Sequence, residues 1–150
     1  MKKYIIIGLL CAFSNLIQGQ EKNEVAFAVI EQVPIYKGCK KNLSNKEQRA
    51  CMSSKVTKHV VKHFNIKVAK GLGFPDGKVR IDVIFKINTK GEVVGIRARG
   101  PHKKLEEEAR RVIKLLPKFI PGYQKGKPVT VPYALPLIFN IDNSKYNKKK

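Results

Sequence analysis

Residues 78–99 read KVRIDVIFKINTKGEVVGIRAR, and this stretch decides the fold. In its first half Val79, Ile81, Val83, Phe85 and Ile87 share one parity, while Lys78, Arg80, Asp82, Lys86 and Asn88 share the other. A period of two marks a strand with one buried and one wet face. Asn88, Thr89, Lys90 and Gly91 then supply turn residues, and Gly91 is free to take the positive φ that a short hairpin needs. In the second half Val94, Ile96 and Ala98 alternate with Val93, Gly95, Arg97 and Arg99, a weaker pattern of the same kind. A lone hairpin is marginal in water. The rest of the chain is therefore expected to cover its apolar side.

Upstream, Gly71, Gly73 and Gly77 lie around Phe74-Pro75-Asp76. A phosphate-cradling glycine loop follows a strand and opens a helix. This one ends a helix and opens a strand, so it reads as a turn. The helix before it starts at Ser44, with Glu47 completing a capping box, and carries Met52, Val56, Val60 and Phe64 on one narrow stripe. Lys55, Lys58 and Lys62 take the opposite side. Earlier still, residues 25–36 (VAFAVIEQVPIY) read as a strand, with Pro34 marking an edge or an end.

Downstream, Gly100-Pro101 breaks the hairpin strand. Leu105, Ala109, Val112, Ile113 and Leu116 then mark a second amphipathic helix, with Glu106, Glu107 and Glu108 early and Arg110, Arg111 and Lys114 late, an order that suits the helix dipole. The three glutamates diverge around the helix axis, so they read as a solvated first turn and not as an acid–base pair. Residues 117–127 form an extended connector. From Pro128 to Ile141 the chain alternates again, with Val129, Val131, Tyr133, Leu135, Leu137, Phe139 and Ile141 on one parity and Pro132 and Pro136 on the other. Backbone groups of one parity point to the same side of an antiparallel strand, and proline offers no N–H there. The side that Pro132 and Pro136 face is therefore an open sheet edge.

The 150 residues allow one domain with one core, and 31 Lys+Arg against 11 Asp+Glu give a net charge of +20. Such a field attracts polyanions. Lys2 and Lys3, followed by the short apolar run YIIIGLLCAF and a polar exit, read as a cleaved export signal, with cleavage after Ser14 or Gly19. The run is too short to span a bilayer. Export leaves Cys39 and Cys51, and an even pair outside the cytoplasm points to a disulfide rather than free or metal-binding thiols. Closing a loop of about a dozen residues would add roughly 3 kcal/mol of stability. Export also removes nucleic acid as the expected partner. The periplasm is the expected compartment.

His59 and His63 stand i, i+4 on one helical face, a spacing compatible with zinc. No glutamate lies between them and lysines surround them, so half-buried structural rings are expected, with no metal and no cofactor. There is no Ser/His/Asp or Cys/His arrangement and no paired carboxylate set, so an enzyme is not expected. The wet sheet face carries Lys78, Arg80, Lys86, Arg97 and Arg99. Joined by the basic first helix and tail, it would suit anionic lipid, lipopolysaccharide or cell-wall polymer, which is the alternative reading of function.

The ordered set Gly77-Lys78-Val79, Gly91-Glu92-Val93, Leu105…Glu108-Ala109, Leu115-Leu116-Pro117-Lys118-Phe119…Pro121-Gly122, Gly126-Lys127-Pro128-Val129 and Val131-Pro132-Tyr133…Pro136…Phe139 resembles the C-terminal domain of TonB. The lead-in Val33-Pro34…Gly38-Cys39 resembles the small exported forms of Bacteroidetes-type bacteria. The resemblance implies an α+β, two-layer fold, an antiparallel sheet with two helices packed on one face. It also implies a last strand that pairs with an extended segment, the TonB box, of an outer-membrane transporter in TonB-dependent transmembrane transport. That strand would dock through Val131, Pro132, Tyr133, Ala134, Leu135, Pro136, Leu137, Ile138 and Phe139, within residues 129–141. An open edge of this kind also suits a homodimer. The expected organisation is a signal at 1–19, an N-terminal strand and disulfide loop at 20–43, a TonB C-terminal-like domain at 44–141 and a basic tail at 142–150. A full TonB has an inner-membrane anchor and a proline-rich arm. The stretch before Ser44 has no such arm, so binding is expected rather than force transmission. The Tyr-Pro pair usual before the first sheet strand is replaced by a region containing Asn65-Ile66.

Overall fold

The computed structural model describes Ala26, residues 29–69 and residues 71–142. The expected export signal at 1–19 and the tail beyond Asp142 lie outside the described residues. The elements are α1 (Asn45–His63), a 3-10 turn (Ile66–Ala69), β1 (Gly77–Ile87), β2 (Val93–Arg99), α2 (Lys103–Lys114), β3 (Gly122–Gln124), β4 (Lys127–Val129) and β5 (Val131–Ile141). The main sheet is antiparallel with order β2-β1-β5, and β3 and β4 form a separate small hairpin.

β1 is the central strand, and its odd-numbered residues from Val79 to Ile87 are all buried. It pairs with β5 along its whole length, from Gly77 opposite Ile141 to Ile87 opposite Val131. The odd residues of β5 therefore join the same face. Met52, Val56 and Val60 of α1 and Leu105, Ala109, Val112 and Ile113 of α2 pack into that one cluster. Both helices thus lie on one side of the sheet, which is the expected two-layer α+β architecture. Each fully buried large apolar side chain, such as Phe85 or Met52, contributes about 1.5–3 kcal/mol.

The local signals behave as their chemistry requires. The Ser44 hydroxyl accepts from the Glu47 N–H while the Glu47 carboxylate accepts from the Ser44 N–H, so α1 starts on a full capping box. Cys39 and Cys51 are bonded with their Cα atoms 6.1 Å apart, which fastens the second turn of α1 to the preceding loop.

Four expectations need correction. First, residues 25–36 do not form a regular strand among the described residues. Gln32 and Ile35 make isolated bridges to Tyr123 and Ile120, and Asn45 binds the Val33 N–H and the Glu31 carbonyl. The apolar residues Ile30 and Val33 are buried against Val129 and Val131, not in the main core.

Second, the last strand begins at Val131, because Lys127–Val129 pairs with Gly122–Gln124 and Thr130 separates the two. Third, Val94 does not share a face with Ile96 and Ala98. Ile84 pairs with Arg97 but Lys86 pairs with Val94, so two residues, Gly95 and Ile96, oppose Phe85 alone. Gly95 takes φ 62°, and the bulge shifts parity so that Val93 packs on the core.

Fourth, the glutamates of α2 are not a solvated turn. Only Glu107 is exposed. Glu106 accepts from the Gly100 N–H at 3.1 Å. Glu108 is buried, accepts from the Asn65 N–H at 2.7 Å and pairs with Arg111, which also donates to the His63 carbonyl. This cluster ties the end of α1 to α2. The Arg111 guanidinium holds the Glu108 carboxyl below its usual range, helped by Asn65, against the upward push of burial. A depressed folded pKa means the stabilisation is complete above the unfolded value and is lost as pH falls through the folded one. Glu108→Gln is expected to cost about 1–2 kcal/mol at pH 7. The gap to the native chain should begin to close below about pH 4.3. Urea midpoints at pH 7 and pH 3 check it, and a gap that does not narrow would contradict the assignment.

Candidate functional site

β5 has β1 on one side and, among the described residues, no strand on the other. Pro132 and Pro136 lie opposite Lys86 and Asp82. Proline cannot donate, so these are the non-hydrogen-bonded pairs of the ladder, and the backbone groups of this parity point away from β1. The outward row therefore offers N–H and C=O at Ala134, Ile138 and Asn140, and C=O alone at Pro132 and Pro136. It runs about 33 Å, at the usual rise per residue, along the eleven residues of β5. Residues 29–36 do not occupy this row, because their bridges go to Ile120 and Tyr123. Beneath the C-terminal half of β5, Phe64 stacks on Phe139 with ring centroids 4.1 Å apart, both half-buried. An extended chain added here would gain main-chain hydrogen bonds and an aromatic wall.

The outer face of the sheet adjoins this edge. The register of Arg97 opposite Ile84 and Arg99 opposite Asp82 puts both arginines on the face of Lys78, Arg80 and Lys86. All five expected basic residues are thus brought together. Asp82 is bonded to Arg80 at 2.7 Å, and this exposed pair adds little stability. The basic side of α1 belongs to the helical layer on the opposite side of the sheet, so Lys55, Lys58 and Lys62 do not continue this face.

The family model described as the Gram-negative bacterial TonB protein C-terminal matches residues 76–141. These residues form a TonB C-terminal domain. The match begins at the turn into β1 and ends at the last residue of β5, so it covers the three-stranded sheet and α2 but not α1. No curated relative matches the chain in sequence. TonB C-terminal domains are non-catalytic protein-interaction domains of the cell envelope. Among the described residues, no helix is long and apolar enough to cross a membrane.

Two further features lie away from the β5 edge. His59 Nε2 lies 3.1 Å from the Val112 carbonyl near the end of α2, so it donates there. Burial lowers its pKa, and the His63 ring stands 4.5 Å away, adding like-charge resistance to protonation. Among the described residues no group of three His, Cys, Asp or Glu is placed to hold a metal. A hollow of about 460 Å³ is lined by Lys67, Val68, Lys104, Glu107, Glu108 and Arg111. Its charges are of both signs, and the Glu108–Arg111 pair occupies its wall. The aromatic stack of Phe64 on Phe139 was the one feature of the edge not anticipated. Its signal in sequence was the half-buried aromatic that closes the α1 stripe.

Proposed function

We propose that the protein is a non-catalytic, TonB-type binding module of the periplasm. It pairs the outward side of β5 with an extended segment, of the TonB-box kind, from an outer-membrane transporter or a related envelope protein in TonB-dependent transport. The observation that carries this reading is the unpaired backbone row whose parity is marked by Pro132 and Pro136. β-augmentation requires such a row, with main-chain bonds supplying affinity and alternate side chains supplying selectivity. The family match over residues 76–141 supports the same kind of partner.

The test is a backbone amide titration by NMR with a synthetic TonB-box peptide. Ala134, Ile138 and Asn140 are expected to shift most, because their N–H groups face outward. Tyr133, Leu135 and Leu137 donate to β1 and should move less. A peptide that perturbs none of the three outward amides would sink the proposal. The same spectra recorded over a dilution series report whether a second copy competes for the edge as a homodimer.

A further inference from the structure

The outer face of the sheet is not simply wet. Ile138 is 60% exposed, Ile84 49% and Val94 38%, and Ala134 and Pro136 are exposed beside them. The register sets them in order. Ala134, Ile84 and Arg97 form one row across the sheet, Pro136, Asp82 and Arg99 the next, and Ile138 stands beside Arg80. Lys78 and Lys86 lie at the two ends of β1. Among the described residues of β1, β2 and β5, the face is therefore an apolar stripe along β5 and the middle of β1, flanked by five cations and one carboxylate, Asp82, which is bonded to Arg80.

We propose that this face docks flat on a bilayer containing anionic phospholipid. Ile138 and Ile84 enter the headgroup boundary, and Lys78, Arg97 and Arg99 meet the phosphates. Apolar contact and charge together give the two signals that reversible membrane attachment requires. Long cationic side chains lay their stems along apolar surface and send their heads to the phosphates. Juxtaposed basic residues are drawn to anionic lipid and released by salt. Its cations are spread along β1 and β2 from Lys78 to Arg97, so a broad planar array of phosphates is its complement. A polypeptide lying across it would find no backbone partners, because sheet N–H and C=O groups lie in the plane of the sheet. Docked this way, the β5 edge stays open sideways, parallel to the membrane surface. This inference is independent of the peptide reading, since the peptide uses the edge and the lipid uses the face.

The exported chain is tested by co-sedimentation with phosphatidylcholine vesicles, with and without phosphatidylglycerol. The variant K78E/R97E/R99E alters the face, and K55E/K58E/K62E makes the same change in net charge on the helical layer. The face variant is expected to weaken binding to anionic vesicles at least about tenfold, and the helix variant by much less. The chain has no tryptophan, so Ile138→Trp is a single reporter on the native set of charges, with Val61→Trp on the exposed side of α1 as its control. The emission of Ile138→Trp should shift to the blue on anionic vesicles, and that of Val61→Trp should not. Equal losses in the two triple variants, equal binding to neutral vesicles, or no shift at position 138 would each overturn the proposal. Retention on polyglutamate without vesicle binding would transfer the face to an acidic protein partner.

Discussion

Ala134→Pro is expected to fold, whereas Leu135→Pro, one residue further on, is expected to unfold the domain. The Ala134 N–H has the parity of Pro132 and Pro136 and points away from β1. A proline there extends a pattern that the strand already tolerates, and the cost should stay within about 1 kcal/mol. The Leu135 N–H points to the β1 ladder, where Leu135 lies opposite Val83, and its side chain is buried. Proline in a ladder removes a hydrogen bond and leaves its β1 partner unsatisfied, at about 1–3 kcal/mol. Losing the leucine side chain adds about 2 kcal/mol or more. The sum, about 3–5 kcal/mol or more, reaches the range of the whole stability of a small domain. Amide dispersion by NMR and thermal melts distinguish the two outcomes. The folded Ala134→Pro protein should also bind an edge peptide about tenfold more weakly, because it loses one donor and strands a partner carbonyl. If Ala134→Pro unfolded as readily as Leu135→Pro, the outward row would be part of the fold and not a free surface.

The contrast was legible in the sequence because parity is a local property. The odd residues of β1 and β5, the Ser44–Glu47 box and the proline positions each announce themselves within a few residues. What was not legible depends on distant partners. Glu108 is buried because the Asn65 N–H and Arg111 receive it, and nothing near Glu107 distinguishes it from its exposed neighbour. The strands β3 and β4 are three residues each, too short to establish a period, so residues 117–127 read as a plain connector. Residues 30–35 carry strand-forming side chains but, among the described residues, find only two bridging partners, at Ile120 and Tyr123. The Gly95 bulge moved Val94 to the outer face, and with it went part of the apolar stripe beside Ile84. The five cations were visible in the sequence. The apolar centre they surround was not.

Gly91→Ala is expected to cost about 3–4 kcal/mol, far more than a turn glycine usually carries. Gly91 has φ 78°, which any L side chain resists by about 1 kcal/mol. That alone would make it ordinary. A Cβ added here would also stand 1.9 Å from the Phe119 carbonyl oxygen and 2.9 Å from its carbonyl carbon. These are backbone atoms and cannot swing aside. The Gly91 carbonyl in turn accepts the Phe119 N–H at 2.8 Å, so the methyl must break the bond it displaces. Phe119 is buried and meets Tyr36 edge-on, with ring centroids 5.3 Å apart, which leaves it no room to retreat. Overpacking of this kind costs about 1–3 kcal/mol, and the lost hydrogen bond about 1 more. Gly126→Ala separates the two causes, because Gly126 has φ 71° but nothing within 4 Å of the added carbon. It should cost about 1 kcal/mol. Denaturant midpoints of the two variants measure the difference, and equal losses would mean that left-handed backbone alone accounts for Gly91. A large gap would show that the hairpin tip is bolted to the segment after α2. That segment leads through β3 and β4 into β5, so the same contact helps set where the open edge lies.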